Sequence, residues 1–297
     1  TEIRGGTNGI SVLKLDDSLD YLRIHKSARS FDISGNTAFT GVTWDTSDEV
    51  DTGSFDFTPT SADVTVKGDE NQLFLVTANV KLNNDDTAAQ RQNYEMRLTL
   101  DGAEIPGTRS TSYLRAANDT DNGTLQYVGV IKKTVPGNQT FNVEVRREGE
   151  AADSTDIVAD QTALSMLALP SSAEVLMLTS GVDQPLTSAQ SVLNWDTQVR
   201  TSSNFSHSTT SSNDDIEIVT GGNYLFFASS YTSRTSGGGR DVPKIDWRID
   251  GSPLSYGGHG SFNRGDQGSE DTYTSGASSG VILNGLTSGQ VIDLVQS

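Results

Sequence analysis

The stretch GVILNGLTSGQVIDL, at residues 280–294, contains two short apolar runs separated by turn residues. The first run ends at Asn284-Gly285, and the second begins after Ser288-Gly289. Dipeptides that end in glycine are turn signals, and β-branched residues favour strands. The stretch therefore predicts a β-hairpin.

Short apolar or alternating runs of this kind recur along the chain. They lie at residues 64–66, 73–80, 94–100, 125–133 and 141–147, and again at 216–219, 224–230, 245–249, 281–283 and 291–295. No segment has the sustained 3.6-residue apolar period of an amphipathic helix. Many short strands separated by turns predict an all-β sandwich or jelly roll.

The two halves of the sequence repeat one another at a spacing of about 150 residues. WDT at residues 44–46 recurs at 195–197, and NQLFL at 71–75 recurs as NYLFF at 223–227. In the same order, LDG at 100–102 matches IDG at 249–251, GVI at 129–131 matches GVI at 280–282, and QTFNV at 139–143 matches QVIDL at 290–294. This common order predicts two tandem copies of one domain.

The repeat is out of phase with the ends of the sequence. TDIVADQTALSMLAL, at residues 155–169, resembles TEIRGGTNGISVLKL at residues 1–15. We therefore expect a donor-type strand at residues 1–15, a first jelly-roll repeat at 16–170, and a second repeat at 171–297 that lacks its last strand. The apolar residues that the donor-type strand would insert are Ile3, Val12, Leu13 and Leu15.

Composition excludes several classes of function. The chain of 297 residues has no cysteine, which excludes disulfides, thiolate metal sites and cysteine nucleophiles. Its 3 His lie far apart in sequence, which argues against a histidine-rich metal site or a catalytic triad. With 21 Lys+Arg against 39 Asp+Glu the net charge is −18, so nucleic acid and anionic membranes would be repelled. No apolar run reaches the ~18 residues of a membrane span. A glycine-rich, cysteine-free sequence that starts at Thr1 without a leader is expected to be processed or cut from a longer polypeptide, and to be extracellular, either secreted or at the cell surface.

Two motifs of the second half resemble those of a known superfamily. GNYLFF at residues 222–227, followed by residues 280–294, is similar to a Gly-x-Tyr-x-Phe strand and a later Leu-x-Leu-x-x-Gly-Asp-x-Val hairpin. Both are features of the complement globular head and the tumour necrosis factor superfamily. Gln72 replaces the tyrosine in the first repeat. The resemblance implies tandem ten-stranded jelly rolls that act as binding or assembly modules; it specifies no chemistry.

The tryptophans and the absence of catalytic motifs bear on function. Trp44, Trp195 and Trp247 are interpreted as core residues, with a sugar-stacking platform as the alternative interpretation. G-x-S-x-G, H-E-x-x-H and P-loop motifs are absent from the sequence. We therefore expect neither enzyme activity nor a resident cofactor.

Two kinds of candidate site lie in polar loops. Asp119 and Asp121, in NDTDNG at residues 118–123, offer alternating oxygen ligands for Ca²⁺, but position 128 is Val128 where an EF-hand requires a carboxylate. A solvated hairpin tip is the other interpretation. Four N-x-S/T sequons are candidate glycosylation sites if the chain is secreted: Asn118, Asn122, Asn138 and Asn204.

The favoured hypothesis is a structural subunit of an extracellular filament, fibre or surface array. A sandwich that lacks its last strand exposes a sheet edge and part of its core, which must be filled. A strand from the next copy would fill it by donor-strand complementation and give a head-to-tail homopolymer. Closure within one chain, and a longer array of repeats, are the alternatives.

The second hypothesis is a receptor- or glycan-binding head of an adhesin or phage fibre. The resembling family usually forms compact trimers, which supports it. A third hypothesis, a glycoside-active enzyme, has no residue evidence. The mass and shape of the protein in solution would distinguish the first two hypotheses. A discrete trimer that binds glycans would favour the head, and an open-ended polymer would favour the filament.

Overall fold

The structure is a computed structural model of the chain. It describes residues 18–28, 32–84, 91–115, 121–148, 155–159, 161–185, 190–234, 240–241, 243–254, 258–260, 263–264 and 273–296. The regular secondary structure of these residues consists of β-strands, without a helix. In this part of the chain there is accordingly no helix that is long and apolar enough to cross a membrane.

The strands follow one another in two sets, one in each predicted repeat. The first set is β1 (Tyr21–His25), β2 (Thr40–Gly41), β3 (Thr46–Val50), β4 (Phe55–Phe57), β5 (Val64–Val66), β6 (Leu73–Asn84), β7 (Arg91–Leu100), β8 (Ala103–Glu104), β9 (Ser110–Arg115), β10 (Asp121–Lys132), β11 (Gln139–Glu148), β12 (Thr155–Ile157) and β13 (Ala163–Ala168). The second set is β14 (Met177–Thr179), β15 (Ser191–Val192), β16 (Thr197–Arg200), β17 (Phe205–Ser206), β18 (Ile216–Ile218), β19 (Gly222–Arg234), β20 (Arg240–Asp241), β21 (Lys244–Ile249), β22 (Ser252–Pro253), β23 (His259–Gly260), β24 (Asn263–Arg264), β25 (Tyr273–Leu286) and β26 (Val291–Gln296).

The first repeat is a sandwich of two antiparallel sheets. One sheet, the inner sheet, has the order β10-β6-β13-β1-β3, with β12 beside β6. The other, the outer sheet, has the order β4-β5-β11-β7-β8, with β2 on β11 and β9 on β7. Alternating side chains of both sheets, such as Val76 and Leu98, form one apolar core between them. The all-β jelly-roll fold predicted from the sequence is confirmed.

The outer sheet of the second repeat reproduces that of the first, ladder by ladder. Its order is β17-β18-β26-β21-β22, with β15 on β26 and β23 on β21. Ile249 pairs with Ile292, as Leu100 pairs with Phe141 in the first repeat. The sequence matches at these positions therefore correspond to structurally equivalent pairs.

The irregularities of the ladders are repeated as well. Ile24 of β1 pairs with Ser47 of β3, and Leu178 of β14 pairs with Gln198 of β16. Each ladder shifts its register at the step immediately before these pairs. Since a bulge is a specific local feature, its recurrence is strong evidence that β14 and β16 are the counterparts of β1 and β3.

The equivalent of the GVI segment at 129–131 lies one residue earlier in the second repeat than the matching letters at 280–282 predict. Phe74 pairs with Ile131, and its counterpart Phe226 pairs with Val281. The counterpart of Ile131 is thus Val281 and not Ile282, although the matching letters GVI favoured Ile282. Burial decides the alignment, because Ile131 and Val281 both face a core while Ile282 is exposed.

The inner sheet of the second repeat is in two pieces. In the first repeat, β13 pairs with both β1 and β6 and joins the halves of its sheet. In the second repeat, β14 pairs with β16, and β19 pairs with β25. No strand among the described residues bridges β14 and β19.

Candidate functional site: an open groove in the second repeat

The gap between β14 and β19, called the open groove below, is the candidate functional site. It occupies the position that β13 fills in the first repeat. Phe226 and Ala228 of β19 are the counterparts of Phe74 and Val76, which pair with β13. The main-chain groups of β19 that border the open groove correspond to groups of β6 that form hydrogen bonds to β13.

The floor of the open groove is the apolar core of the second repeat. Trp247 and Leu294 line it from the outer sheet, and Phe226 lines it from β19. The rings of Phe226 and Trp247 lie 5.6 Å apart, and the indole Nε1 of Trp247 donates to Ser279 Oγ at 3.1 Å. The cavity, which extends to the first repeat, has a volume of about 1950 Å³. It is apolar enough to bind the buried face of a strand.

Several apolar side chains beside the open groove are partly or largely exposed. Leu176 is half-buried, whereas the corresponding Leu22 is 1% exposed. Leu225 and Val182, which also line the cavity, are 43% and 68% exposed. Exposed apolar surface of this kind marks an interaction site or an aggregation hazard.

The first repeat holds the β14–β16 side of the open groove in place. Lys132 Nζ donates to the carbonyl of Val199 at 3.1 Å. Arg200 donates to the carbonyl of Asn71 at 3.3 Å and, within the second repeat, to that of Ala173 at 3.4 Å. This side is therefore bonded to β10 and to the loop before β6, and within the described part of the chain no ladder joins it to β19.

Separate contacts with the first repeat hold β19. The hydroxyl of Tyr231 donates to Glu95 Oε1 at 2.5 Å, and Ser229 Oγ donates to the carbonyl of Gly107 at 2.5 Å. Glu95 is fully buried, and its other oxygen accepts a hydrogen bond from Arg146 Nε at 2.6 Å. The guanidinium of Arg109 lies 5.8 Å from the Tyr231 ring. The open groove is thus formed by two elements that are each anchored to the first repeat.

The pKa values of two acidic residues of the second repeat, Asp196 and Asp215, are shifted in opposite directions. The backbone N–H of Gly181 and the hydroxyl of Thr197 lower the pKa of the Asp196 carboxyl, which accepts them at 2.9 and 2.8 Å. Burial raises the pKa of Asp215, and the nearby carboxylates of Asp214 and Asp293 add to the effect. Neither Asp196 nor Asp215 is among the residues that line the cavity.

The donor residues predicted from the sequence, Ile3, Val12, Leu13 and Leu15, lie outside the described residues. Their counterparts in the first repeat are buried or half-buried: Ile157, Met166, Leu167 and Leu169. The same correspondence adds Ile10 to this prediction, because its counterpart Leu164 is fully buried. Sequence reasoning missed Ile10, although its alternation with Val12 was the signal that could have identified it.

The candidate calcium and glycosylation residues are dispersed. Asp119 and Asn118 lie outside the described residues, while Asp121 and Asn122 begin β10. Asn138 is exposed in a turn, and Asn204 is half-buried beside the open groove. Within the described residues no cluster of three or more His, Asp or Glu could hold a metal ion. The calcium and glycosylation sites stay predictions.

The three tryptophans predicted to lie in the core differ in how fully they are buried. Trp44 is fully buried and Trp247 is nearly so, which confirms the prediction for both. Trp195 is half-buried, packs against the second core and lines the cavity. Its burial is incomplete because this core borders the open groove.

Comparison with known proteins gives a limited likeness. No protein-family model matches the chain, and a search of curated proteins gives no match. Among solved structures, it is similar to crystal structures of murine APRIL at pH 8.0, pH 5.0 and pH 8.5, with sequence identities of 13%, 14% and 13% and TM-scores of 0.34, 0.35 and 0.33. Each match covers 51% of this chain and 100% of the APRIL chain. The jelly-roll fold itself rests on the strand ladders described above, and the closer resemblance to the complement globular head stays a prediction.

Proposed function

We propose that this chain is a structural subunit of an extracellular filament, fibre or surface array. Residues 1–15 of one copy enter the open groove of the next copy and complete its inner sheet. Such a contact joins two different surfaces, so it propagates head to tail without closing. The partner is another copy of the same chain.

A single observation carries the proposal: β14 and β19 match the two strands that flank β13, yet no described strand lies between them. The segment that resembles residues 155–169, and hence β13, is residues 1–15. An inserted strand would gain main-chain hydrogen bonds on both sides and bury apolar side chains over the second core. The exposed apolar surface of the open groove would then be covered.

The proposal is tested with two complementary variants. Deletion of residues 1–15 removes the donor and keeps the open groove, whereas Leu176→Lys places a charge in the open groove and keeps the donor. Leu176 is half-buried, so the substitution should be tolerated by the fold, which circular dichroism would check. We expect the wild type to form long polymers in electron micrographs and each variant alone to form none.

A mixture of the two variants supplies the sharper result. The Leu176→Lys copy can donate and the deleted copy can accept, so a one-to-one pair is expected in light scattering, without longer species. Filaments from the deletion variant alone would contradict the proposal. A wild type of fixed small size would also contradict it and would favour the receptor- or glycan-binding head.

A further inference from the structure

We propose a specific register for the strand that occupies the open groove, an inference that rests on the proposed function. The strand lies antiparallel to both β14 and β19, with Val12 opposite Ala228 on one side and Leu176 on the other. Val12 and Ile10 face the second core, while Ser11 and Leu13 face away from it.

The first repeat provides the template for this register. Met166 of β13 pairs with Val76 of β6 and with Leu22 of β1. The N–H of Leu169 donates to the carbonyl of Leu73 at 2.9 Å. Hydrogen-bonded and non-hydrogen-bonded pairs alternate along an antiparallel ladder. Met166 and Val76 therefore form a non-hydrogen-bonded pair, whose Cα atoms approach most closely.

The template transfers to the second repeat residue by residue. Val12 corresponds to Met166 by the match of residues 1–15 with 155–169. Ala228 corresponds to Val76, because both lie two residues after a buried phenylalanine of the same ladder. Leu176 corresponds to Leu22, because the residue that follows each pairs just before the repeated register shift.

Side-chain volume supports the same register. The indole Nε1 of Trp247 donates to Ser279, which pairs with Ala228 on the neighbouring strand. The first repeat has the smaller Leu98 at the position of Trp247. The larger indole leaves less room above it, and the donor has Val12 where β13 has the longer Met166. Compensating changes of this kind keep the core volume nearly constant.

A slip by one residue is the competing register. It would turn Leu13 and Ser11 toward the core and Val12 and Ile10 away from it, because successive side chains of a strand point to opposite faces. Leu13 would then lie opposite Ala228. The two registers therefore differ in which residue is close enough to Ala228 for a covalent link.

Disulfide cross-linking of the full chain distinguishes the registers, since the natural sequence has no cysteine to interfere. The test variant combines Val12→Cys with Ala228→Cys, and the matched control combines Leu13→Cys with Ala228→Cys. On mild oxidation of polymers we expect at least roughly tenfold more cross-linked chains from the test variant, since only close and aligned Cβ atoms form a disulfide. A second test pair, Ser11→Cys with Met177→Cys, reports on the β14 side.

Each result has a defined meaning. Ladders of covalently linked chains from the two test pairs support the proposed register. Preferential linkage through Leu13→Cys overturns it in favour of the slip, and polymers that link through none of the pairs also overturn it; the proposed function survives in both cases. Linkage within one monomeric chain shows that the donor is not a second copy and overturns both proposals.

Discussion

The WDT motif recurs because its residues make the same contacts in both repeats. The N–H of Trp44 donates to Ser61, as that of Trp195 donates to Asn213. Asp45 accepts the N–H of Ser27 at 2.5 Å. In the second repeat Asp196 accepts the N–H of Gly181 in the same way, and the threonine that follows each aspartate donates its hydroxyl to it. The motif thus joins the strand that follows it to the loop after the first strand of the repeat.

The repeat-related tryptophans should differ in their contribution to stability. Trp44→Ala should lower the free energy of unfolding by about 3–5 kcal/mol, because the indole is fully buried. Trp195→Ala should cost about 1–2 kcal/mol, because its side chain is half-buried beside the open groove. Urea denaturation of the two variants measures both values. Equal losses would contradict the interpretation that the second core is open at this position.

At the scale of strands, the sequence predicts position better than length. The run at 73–80 corresponds to β6, which continues to Asn84. The polar end of this strand pairs with the start of β10, so hydrogen bonding extends the ladder beyond the apolar pattern. Two-residue strands such as β2 and β15 carry no periodicity and could not be predicted.

The candidate site was predictable only in part. The match of residues 1–15 with 155–169 predicts a missing strand, but not which strands would flank it. The bond between Tyr231 and Glu95 could not be predicted, because it joins residues that are distant in sequence. It also has no counterpart, since Lys244 occupies the position that corresponds to Glu95. Repeat symmetry predicts what the two halves share and misses what joins them.

Hydrogen exchange should report on the open groove directly. By correspondence with β6, the N–H groups of Leu225 and Phe227 point toward the open groove. In the variant without residues 1–15 we expect them to exchange at least roughly tenfold faster than those of Leu73 and Leu75. A peptide of residues 1–15 should slow their exchange and leave Leu294, in the outer sheet, unchanged. Equal protection without the peptide would argue against an open edge.

At the scale of the whole molecule, a buried charge helps to orient the two repeats. Glu95 of the first repeat accepts hydrogen bonds from Arg146 and from Tyr231 of the second. Arg97, Arg109 and Arg146 surround the nearby Phe39 ring, with Arg97 4.1 Å from its centre. A buried carboxylate is stable only while its partners stay in place, so this cluster resists separation of the repeats.

A double-mutant cycle measures this contact. Tyr231→Phe should lower the free energy of unfolding by about 1–3 kcal/mol, since it removes a donor from a buried charge. Combined with Glu95→Gln, the loss should be smaller than the sum by about 1 kcal/mol, because the two residues interact directly. Urea denaturation of the four proteins provides the values. Strict additivity would show that the hydroxyl does not contribute to the contact.

The pH dependence of stability should follow from lowered aspartate pKa values. Hydrogen bonds from Gln139 and from the N–H of Thr140 lower the pKa of Asp101 below its usual 3.8. A folded pKa below the unfolded one contributes stability above about pH 4, and this contribution is lost as the pH falls through the folded value. The difference in unfolding free energy between wild type and Asp101→Asn should therefore be largest at pH 7 and shrink toward pH 3. A constant difference in denaturant titrations would contradict this assignment.

The first repeat holds β14–β16 and β19 separately, with no ladder between them among the described residues, and this has a consequence for growth of the proposed filament. In the proposed filament, an acceptor whose two sides are each held by the first repeat would need little ordering before capture, which favours fast association. The two termini of a filament would then be chemically distinct, one presenting a vacant cleft and the other an unused tail. A synthetic peptide of residues 1–15 would block the filament end that presents the vacant cleft. The opposite end, which presents the unused tail, could still add subunits.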